Sequence, residues 1–224
     1  MTKKNPKRSP GRPTEKQSAN LDDILRVAMK CFAKNGYGGV SLSSLAKEAG
    51  VADSLLHYHF KSKENIWKRA LQLVGGEIFK ELKNLVPLIK ELDGVQRLKI
   101  LNRQIVYISA RNPEFQQIIV QEVFSKTERS KWLVEELLIP IYSFHESVRR
   151  EEQEKGTIKN IPPANLVSFM FGAITTFFAR TYQMETQFGV DSYDEKEVEQ
   201  HADLINDLIF NGLLIRQDTD KKEG

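Results

Sequence analysis

The stretch that most constrains this chain runs from Ser41 to Lys63 and reads SLSSLAKEAGVADSLLHYHFKSK. Its first part carries apolar residues at helical spacing, namely Leu42, Leu45, Ala46 and Ala49. Ser41 stands where an N-cap hydroxyl accepts from free backbone N–H groups, and Gly50 stands where a helix end adopts a left-handed conformation. The pattern predicts a short helix between these two residues, followed by a turn with Val51 as its apolar residue.

A second short helix is predicted to begin at about Ala52 or Asp53 and to end at Phe60. Leu56 and Phe60 lie four residues apart and form its inner face. The outer face carries hydrogen-bonding side chains: Asp53, Ser54, His57 and Tyr58. Two short helices joined by a tight glycine-containing turn are the sequence form of a helix-turn-helix, and a helix of this size fits the DNA major groove.

This stretch resembles the DNA-binding segment of the tetracycline-repressor-like (TetR) family of bacterial regulators. The matching pieces are the AKEAGV turn at Ala46–Val51, the block Leu56–Phe60, the KSKE run at Lys61–Glu64, and the preceding helix ILRVAMKCFAKNGYGGVSL from Ile24. The close resemblance covers about Leu21–Leu71, and the rest of the chain matches only in general pattern. The resemblance implies an all-α fold of about nine or ten helices, with an N-terminal three-helix helix-turn-helix domain and a C-terminal helical domain for ligand binding and dimerisation.

Four segments are expected along the chain: a flexible basic arm (1–20), the DNA-binding domain (21–67), the ligand-binding and dimerisation domain (68–217) and a charged tail (218–224). The arm is polar and basic, and its prolines oppose regular helix. A basic arm of this kind can follow phosphates or enter the minor groove. Pro10-Gly11-Arg12-Pro13 resembles the core of the AT-hook, so Arg12 is a candidate minor-groove contact, with a merely solvated arm as the alternative.

The candidate DNA-binding residues lie in the arm, in the two short helices and at the start of the next helix. They are Arg12, Ser41, Ser43, Lys47, Ala52, Asp53, Ser54, His57, Tyr58, Lys61 and Lys63. Lysines supply charge for phosphates, while hydroxyl and imidazole groups donate to phosphates or base edges. Asp53 can accept from a cytosine amino group, although we favour a cap on its own helix. The family usually has a phosphate-contacting tyrosine at the position of His57, so either His57 makes this contact or Tyr58 makes it one residue later.

The rest of the chain predicts further helices. The first begins at Ser62 as its N-cap, runs to about residue 85, and carries Gly75-Gly76 in its middle. These glycines indicate either close packing against another helix or a soft point in a helix that reaches from one domain into the other. Further helices are expected at about 94–111, 114–124, 130–155 with a kink at Pro140, 164–187 and 195–216.

The resemblance also implies a ligand cavity and a dimer. In similar proteins a small molecule enters a cavity among the middle helices, and position and residue type make candidates of Gln104, Tyr107, Arg111, Gln121, Phe124 and Phe144. The last two helices carry more apolar surface than one core needs, and the resemblance implies that they pair with their symmetry mates in a four-helix bundle. The candidate interface residues are Phe169, Ile174, Phe177, Leu204, Leu208 and Leu213. Ordinary packing within one chain is the alternative for both sets.

Catalysis and metal binding find no support in the sequence. His57 and His59 point to different sides of a helix and cannot hold one metal ion, and the nucleophile-elbow, P-loop and dinucleotide fingerprints are absent. We therefore expect no enzymatic activity, no metal and no cofactor. A single cysteine, the absence of a signal-peptide pattern and an apolar stretch at Phe169–Ala179 that is too short for a membrane span together favour a cytoplasmic protein.

We interpret the sequence as a homodimeric, ligand-responsive transcriptional regulator, most simply a repressor that an unknown small molecule releases from a palindromic operator in double-stranded DNA. A two-fold dimer is expected because a single helix-turn-helix gives weak specificity. The net charge of +3 permits DNA binding without arguing for it. The alternative is a helical small-molecule-binding protein or enzyme that does not bind DNA.

Overall fold

The computed structural model describes residues 15–213, and the side chains of residues 21–212. Every regular element in this range is helical: α1 (Glu15–Asn35), α2 (Leu42–Glu48), α3 (Asp53–Phe60), α4 (Lys63–Ile89), α5 (Gly94–Arg111), α6 (Pro113–Val123), α7 (Glu128–Leu133), a π-helical segment (Val134–Leu138), α8 (Ile139–Glu154), α9 (Pro163–Ala179), α10 (Thr181–Phe188) and α11 (Glu195–Leu213). The predicted all-α fold is confirmed. Among these helices none combines the length and the apolar character that a membrane span requires.

The chain divides into two compact units, and the boundary falls inside α4, between Leu73 and Val74. In the N-terminal unit, α1, α2, α3 and the first part of α4 enclose a small core. Its large, fully buried side chains are Phe32, Leu45, Leu56, Phe60, Ile66, Trp67 and Leu71. Tyr37, in the loop after α1, extends this core, because its ring stacks on Phe32 at a centroid distance of 5.9 Å and meets the edge of Trp67 at 6.2 Å.

Helix α1 begins six residues earlier than the sequence predicted. We expected a flexible arm over residues 1–20, whereas residues 15–20 are helical. The segment EKQSA contains neither proline nor glycine, so nothing in it breaks a helix once Pro13 is passed. Residues 1–14, with Arg12 and the prolines on which the flexible-arm prediction rested, lie outside the described residues.

Helix α4 begins where it was predicted to begin and runs farther. The Ser62 hydroxyl accepts from the Asn65 backbone N–H at 3.1 Å, as an N-cap does. The two glycines within α4 have different surroundings. A Cβ atom on Gly75 would lie 3.1 Å from Leu137 Cδ2, whereas a Cβ atom on Gly76 would meet nothing within 4 Å. Close packing therefore explains Gly75 and does not explain Gly76.

The helix expected over residues 130–155 is built from three pieces. Helix α7 passes into the π-helical segment Val134–Leu138, which passes into α8. Pro140 has no N–H for the carbonyl group four residues before it, and its ring would press on that carbonyl. The wider π turn ahead of Pro140 lets the helical path continue past this mismatch. Gly156, with a φ of +71°, follows the end of α8 and supplies the left-handed conformation of a helix stop.

The helix predicted over residues 164–187 is interrupted at Arg180 and forms α9 and α10. In the last turns of α9, the hydroxyl groups of Thr175 and Thr176 donate to the carbonyl oxygens of Phe171 and Gly172. Such bonds to the carbonyl four residues back compete with the helical ladder and bend helices. The adjacent threonines are the sequence signal for this break, and the prediction did not use it.

One apolar cluster in the core of the C-terminal unit is formed mainly by α5, α9 and α11. Its apolar members are Leu98, Val106, Ile158, Leu166, Met170, Ile174, Phe178, Val198, Ala202, Ile205, Ile209 and Phe210. His201 Nε2 lies 3.0 Å from the Ala173 carbonyl oxygen, and the His201 ring stacks on Phe177 at a centroid distance of 4.1 Å. These contacts join α9 to α11 at His201.

A chain of polar side chains crosses this core and joins α8, α5 and α11. His145 Nε2 lies 2.7 Å from Asn102 Oδ1, Asn102 Nδ2 donates to Asn206 Oδ1 at 3.2 Å, and Asn206 Nδ2 donates to the Lys99 carbonyl oxygen at 3.0 Å. A backbone carbonyl can only accept, so the chain has one direction, and His145 Nε2–H is its first donor. We call this series the polar chain. Burial lowers the pKa of His145 to about 4, so the imidazole is neutral at pH 7.

The different surroundings of Gly75 and Gly76 should give their alanine variants different free energies of unfolding. We expect Gly76→Ala to stabilise the protein by about 0.5–1 kcal/mol, because alanine is the better helix former and its methyl group meets open space. Gly75→Ala is the matched control, since it brings the same helical gain but forces Leu137 to move, so its net effect is smaller or reversed. Chemical denaturation at equal protein concentration measures both. Equal stabilisation by the two substitutions would contradict the close packing of Gly75.

The neutral His145 should make stability depend on pH. Its pKa is about 4 in the folded protein against an ordinary value of 6.5, so between these values the unfolded chain binds a proton that the folded protein excludes. Folding stability from this group is fully present above pH 6.5 and falls as the pH drops toward 4, by about 3 kcal/mol in total at roughly 1.4 kcal/mol per pH unit. The lowered pKa values of His201, caused by burial, and of Glu146, caused by its hydrogen bond to Arg149, act in the same direction.

The substitution His145→Gln isolates this contribution, since glutamine retains an N–H donor for Asn102 and does not titrate. We expect the free energy of unfolding of the variant to change less between pH 6.5 and pH 4.5 than that of the wild type. Denaturant titrations at several pH values in this window measure the difference. Parallel pH profiles would show that His145 is not a neutral buried group.

Candidate functional site

The turn between α2 and α3 is fixed by backbone and cap hydrogen bonds. At the start of α2, Ser41 Oγ accepts from the Ser44 N–H at 3.0 Å, and Ser44 Oγ accepts from the Ser41 N–H at 2.9 Å, which forms a capping box. At its end, Gly50 has a φ of +66°, the Gly50 N–H donates to the Lys47 carbonyl, and the Val51 N–H donates to the Ala46 carbonyl. This is a Schellman motif, and it needs a residue that tolerates a left-handed backbone at position 50. The predicted cap and stop are both confirmed.

Helix α3 has one buried face and one exposed face, as predicted. Leu56 and Phe60 have no accessible surface, and Leu55 is half-buried. On the other side the structure exposes Asp53, Ser54, His57 and Tyr58. The Tyr58 side chain is 79% exposed, and its ring meets the edge of the His59 ring at a centroid distance of 4.9 Å. The helix therefore presents a polar surface of groove-contacting size on a buried anchor.

Asp53 does not cap its own helix, which corrects the role that we favoured for it. The N-cap of α3 is Ala52, which makes no side-chain cap bond, and Asp53 is the first helical residue. Its carboxylate accepts from the Ser43 hydroxyl at 2.5 Å, across the turn. The carboxylate thus links α2 to α3 at the exposed surface. The prediction missed this contact because it considered only hydrogen bonds within one helix.

The three predicted lysines occupy different environments. Lys47 and Lys61 are exposed. Lys63 is half-buried, its Nζ donates to the Tyr37 carbonyl oxygen at 2.9 Å, and the same atom lies 4.3 Å from the centroid of the Tyr37 ring. This contact spans 26 residues of sequence, so no local pattern could have indicated it. Part of the hydrogen-bonding capacity of Lys63 therefore serves the core of its own unit.

Of the remaining predicted DNA contacts, some are exposed, some already make hydrogen bonds within the protein, and one lies outside the described residues. Ser43, Ser54 and Ala52 are exposed around the turn. Ser41 is exposed as well, although its hydroxyl already accepts the capping bond of α2. Arg12 lies outside the described residues. The exposed side chains of α2 and α3 together form a surface with hydrogen-bond donors and acceptors flanked by lysines, which is the chemistry required for phosphates and base edges.

The C-terminal unit contains a mostly apolar cavity among four helices, which we call the inner cavity. The space among these helices is about 590 Å³ when its opening to solvent is counted. Its lining comes from α5, α6, α8 and α9: Ile105, Ser109, Gln116, Tyr142, His145, Glu146, Arg149, Leu166, Val167, Met170, Phe171, Ile174 and Thr175. The few polar groups on an apolar wall suit a ligand that is held mainly by burial.

None of the six predicted ligand residues lines the inner cavity. Gln104 and Arg111 both donate to Glu81 on α4, and Tyr107 is half-buried on the same side of α5. The cavity faces the neighbouring stripe of α5, which carries Ile105 and Ser109. The prediction chose the more polar stripe, and a small polar residue within an apolar stripe was the signal that it overlooked.

The other three predicted ligand residues lie on α6 and α8. Gln121 is exposed. Phe144 packs against Phe79 at a centroid distance of 5.3 Å and borders a separate depression. Phe124 borders a wide apolar groove of about 1240 Å³, which we call the outer groove. The outer groove shares Tyr142, Val167 and Phe171 with the inner cavity, so the two adjoin.

The predicted interface residues differ in how exposed they are. Ile174 is 2% exposed and belongs to the core of its own protomer, so its assignment to an interface was wrong. Phe177 is half-buried against His201. Phe169, Leu204 and Leu208 are 56%, 53% and 60% exposed. The side chain of Leu213 lies outside the described residues. Three of the six therefore present large apolar surface to solvent on α9 and α11.

Comparison with known proteins identifies the helix-turn-helix. The family model for bacterial regulatory proteins of the tetR family matches residues 24–70, a range that contains α2, the turn and α3. The HTH-type transcriptional regulator QacR of Staphylococcus aureus is 38% identical over 52 residues, which cover 23% of this chain and 28% of QacR.

Two further comparisons extend over most of the chain. The nucleoid occlusion factor SlmA of Aliivibrio fischeri is 21% identical over 178 residues, which cover 78% of this chain and 90% of SlmA. The structure of the transcriptional regulator FadR from Bacillus subtilis in complex with stearoyl-CoA superposes with a TM-score of 0.64 at 20% identity, covering 85% of this chain and 97% of FadR. The two-faced α3 and its turn thus lie within a segment, residues 24–70, that matches the tetR-family model, and the fold along the chain is shared with transcriptional regulators of solved structure.

Proposed function

We propose that this regulator is a cytoplasmic repressor that binds a palindromic operator as a two-fold homodimer and leaves it when a small molecule enters the inner cavity. The observation that carries the proposal is the two-faced α3, with Leu56 and Phe60 fully buried and Asp53, Ser54, His57 and Tyr58 exposed. A helix anchored in this way can enter the major groove without disturbing the core that holds it. Lys47 and Lys61 lie on either side of it in sequence and supply phosphate contacts.

Two arguments support the dimer: the sequence specificity that DNA binding requires, and the exposed apolar side chains of α9 and α11. A single helix of two turns reads only a few base pairs, so a second copy is needed for useful discrimination within a genome. Helices α9 and α11 are joined through His201, and they expose Phe169, Leu204 and Leu208. Large apolar side chains that are grouped on adjacent helices mark interaction surfaces. A four-helix bundle of α9 and α11 with their symmetry mates would cover them.

Ligand response is supported by the inner cavity. Its mostly apolar wall with a few polar groups is typical of small-molecule sites, and FadR of similar fold was crystallised with stearoyl-CoA. A ligand that binds one conformation of the protein better than another shifts the population by that difference in affinity. We propose that the occupied state is the one with low operator affinity, which makes the protein a repressor.

The alternative is a helical binding protein or enzyme that does not bind DNA. The two hypotheses differ in whether the protein binds any DNA with an affinity that depends on salt concentration. Operator fragments obtained by selection from random DNA would be bound with an affinity that falls steeply with salt concentration if the proposal is correct, because phosphate contacts release counterions. Absence of any selected sequence at low salt would favour the alternative.

Lys47 provides a residue-level test of the DNA surface. We expect Lys47→Gln to weaken binding by several-fold on every sequence and to reduce the slope of log affinity against log salt by about one, because one phosphate contact is lost. Fluorescence anisotropy with a labelled operator at several salt concentrations measures both quantities. Lys131→Gln, an exposed lysine of α7, is the matched control and should change neither. An unchanged salt slope in the Lys47 variant would remove this residue from the interface.

Leu208 tests the dimer. We expect Leu208→Glu to convert the dimer to a monomer at micromolar concentration, because two like charges would be buried at a two-fold interface without partners. Sedimentation velocity measures the assembly state, and operator affinity should fall together with it. Leu88→Glu replaces another highly exposed leucine, on α4, and should leave a dimer. A monomeric wild type, or a dimer that tolerates Leu208→Glu, would contradict the proposed interface.

A further inference from the structure

The inner cavity has one cationic and one anionic side chain in its wall, and they are bound to each other. Arg149 Nε donates to Glu146 Oε2 at 2.7 Å, and Arg149 Nη2 donates to Glu146 Oε1 at 2.5 Å. The remaining terminal nitrogen, Arg149 Nη1, donates to Gln153 Oε1. Arg149 is 4% exposed, so its charge is neutralised within the wall rather than by water. A charged ligand group would have to break this bidentate pair to find a partner in the wall.

The other titratable groups of the wall are neutral. Burial raises the pKa of Tyr142 to about 12 and lowers the pKa of His145 to about 4. At pH 7 the phenol and the imidazole are therefore uncharged. A ligand carboxylate or ammonium would lose its hydration in this cavity and gain no free counter-charge. The wall accordingly selects against ions of either sign.

The neutral polar groups of the wall include Gln116 and Tyr142, and two others, Ser109 and His145, are the ones that the structure marks for hydrogen bonding to a ligand. The Ser109 side chain is fully buried on the cavity wall, and Ser109 Oγ is one of the few buried polar atoms in residues 15–213 for which the structure shows no partner. Burying a hydroxyl group without a hydrogen-bond partner costs free energy, so such a group in a native protein is a candidate to bind a ligand or a water molecule. In the polar chain, His145 Nε2–H donates to Asn102 Oδ1, so Nδ1 of the same ring is left as an acceptor. The wall thus offers a hydroxyl that can donate and an imidazole nitrogen that can accept.

The shape of the site favours an elongated molecule. Along α8 the lining residues run from Tyr142 to Arg149, a distance of roughly 10 Å at 1.5 Å per residue. At the Tyr142 end the inner cavity adjoins the outer groove, whose wall is apolar and includes Phe124, Ile139 and Val167. A chain that enters past Tyr142 would lie against apolar surface along its whole length.

We propose that the effector of this regulator is an uncharged, elongated apolar molecule with one neutral head that both donates and accepts hydrogen bonds, as a hydroxyl group does, and that Ser109 and His145 bind this head. The inference rests on the proposed ligand response and narrows it to a chemical class. Apolar burial supplies most of the affinity, and the two polar groups orient the head.

Three probes with the same ten-carbon chain test the class: 1-decanol, decanoate and decylamine, which are neutral, anionic and cationic at pH 7.5. We expect decanol to bind with a Kd at least ten-fold below that of either ion, equivalent to about 1.4 kcal/mol. Isothermal titration calorimetry on the full-length protein, below the aggregation limit of each probe, measures this. Tighter binding of decanoate or decylamine would overturn the proposal, and so would the failure of all three to bind.

Ser109→Ala tests the head group. We expect this variant to be as stable as the wild type or more stable, because an unpartnered hydroxyl is removed, and to bind decanol five- to ten-fold more weakly. Ser143→Ala, an exposed serine of α8 that lines neither the inner cavity nor the outer groove, is the matched control and should bind decanol as the wild type does. A Ser109→Ala protein with unchanged decanol affinity would exclude this residue as the head-group partner and overturn that part of the proposal.

Operator binding without a probe, measured in parallel, separates the two proposals. If the protein binds its operator and an ionic probe releases it, the class of ligand is wrong while the repressor function stands. If the protein binds decanol in the expected order but no operator, the repressor function is wrong while the chemistry of the cavity stands.

Discussion

The burial of Leu56 and Phe60 is the contact on which the DNA-facing part of the molecule depends. A helix of eight residues has little stability of its own in water, so α3 exists because one side of it is packed into the N-terminal core. The same packing fixes the rotation of the helix and thereby decides that Asp53, Ser54 and His57 face outward. The Schellman turn at Gly50 then fixes where α3 begins. Orientation and position of the contact surface are thus set by two apolar side chains and one glycine.

Features of the sequence that act over a few residues could be predicted, because cap and turn chemistry is local. Ser41, Gly50 and Ser62 have the cap roles predicted for them, and the spacing of Leu56 and Phe60 predicted the inner face of α3. Features that depend on partners distant in sequence could not be predicted. The bond from Ser43 to Asp53, the attachment of Lys63 to Tyr37 and the choice of the Ser109 stripe of α5 as the cavity wall all require the packed structure.

The two units differ in how they handle charge. The DNA-facing surface leaves Lys47 and Lys61 exposed, where they remain available to a polyanion. The inner cavity pairs Arg149 with Glu146 and keeps Tyr142 and His145 neutral, so its wall has polar atoms but no free charge. Candidate sites chosen for their charged or aromatic character, such as Arg111 and Phe124, therefore lay outside the cavity. In this unit an unpartnered hydroxyl is a better guide to the site than an exposed cation.

The polar chain from His145 to the Lys99 carbonyl makes three side chains interdependent. Each asparagine accepts a hydrogen bond through its side-chain oxygen and donates one through its amino group. The backbone oxygen at the end of the chain can only accept, and this fixes the direction of every donor along it. Asn102 therefore needs both its carbonyl oxygen and its amino group, and aspartate, which has the same shape, would set two acceptors against each other inside the core. Spontaneous deamidation of this one asparagine would consequently act as slow chemical ageing of the protein, since it would disconnect the cavity wall from α11 without changing any side-chain volume.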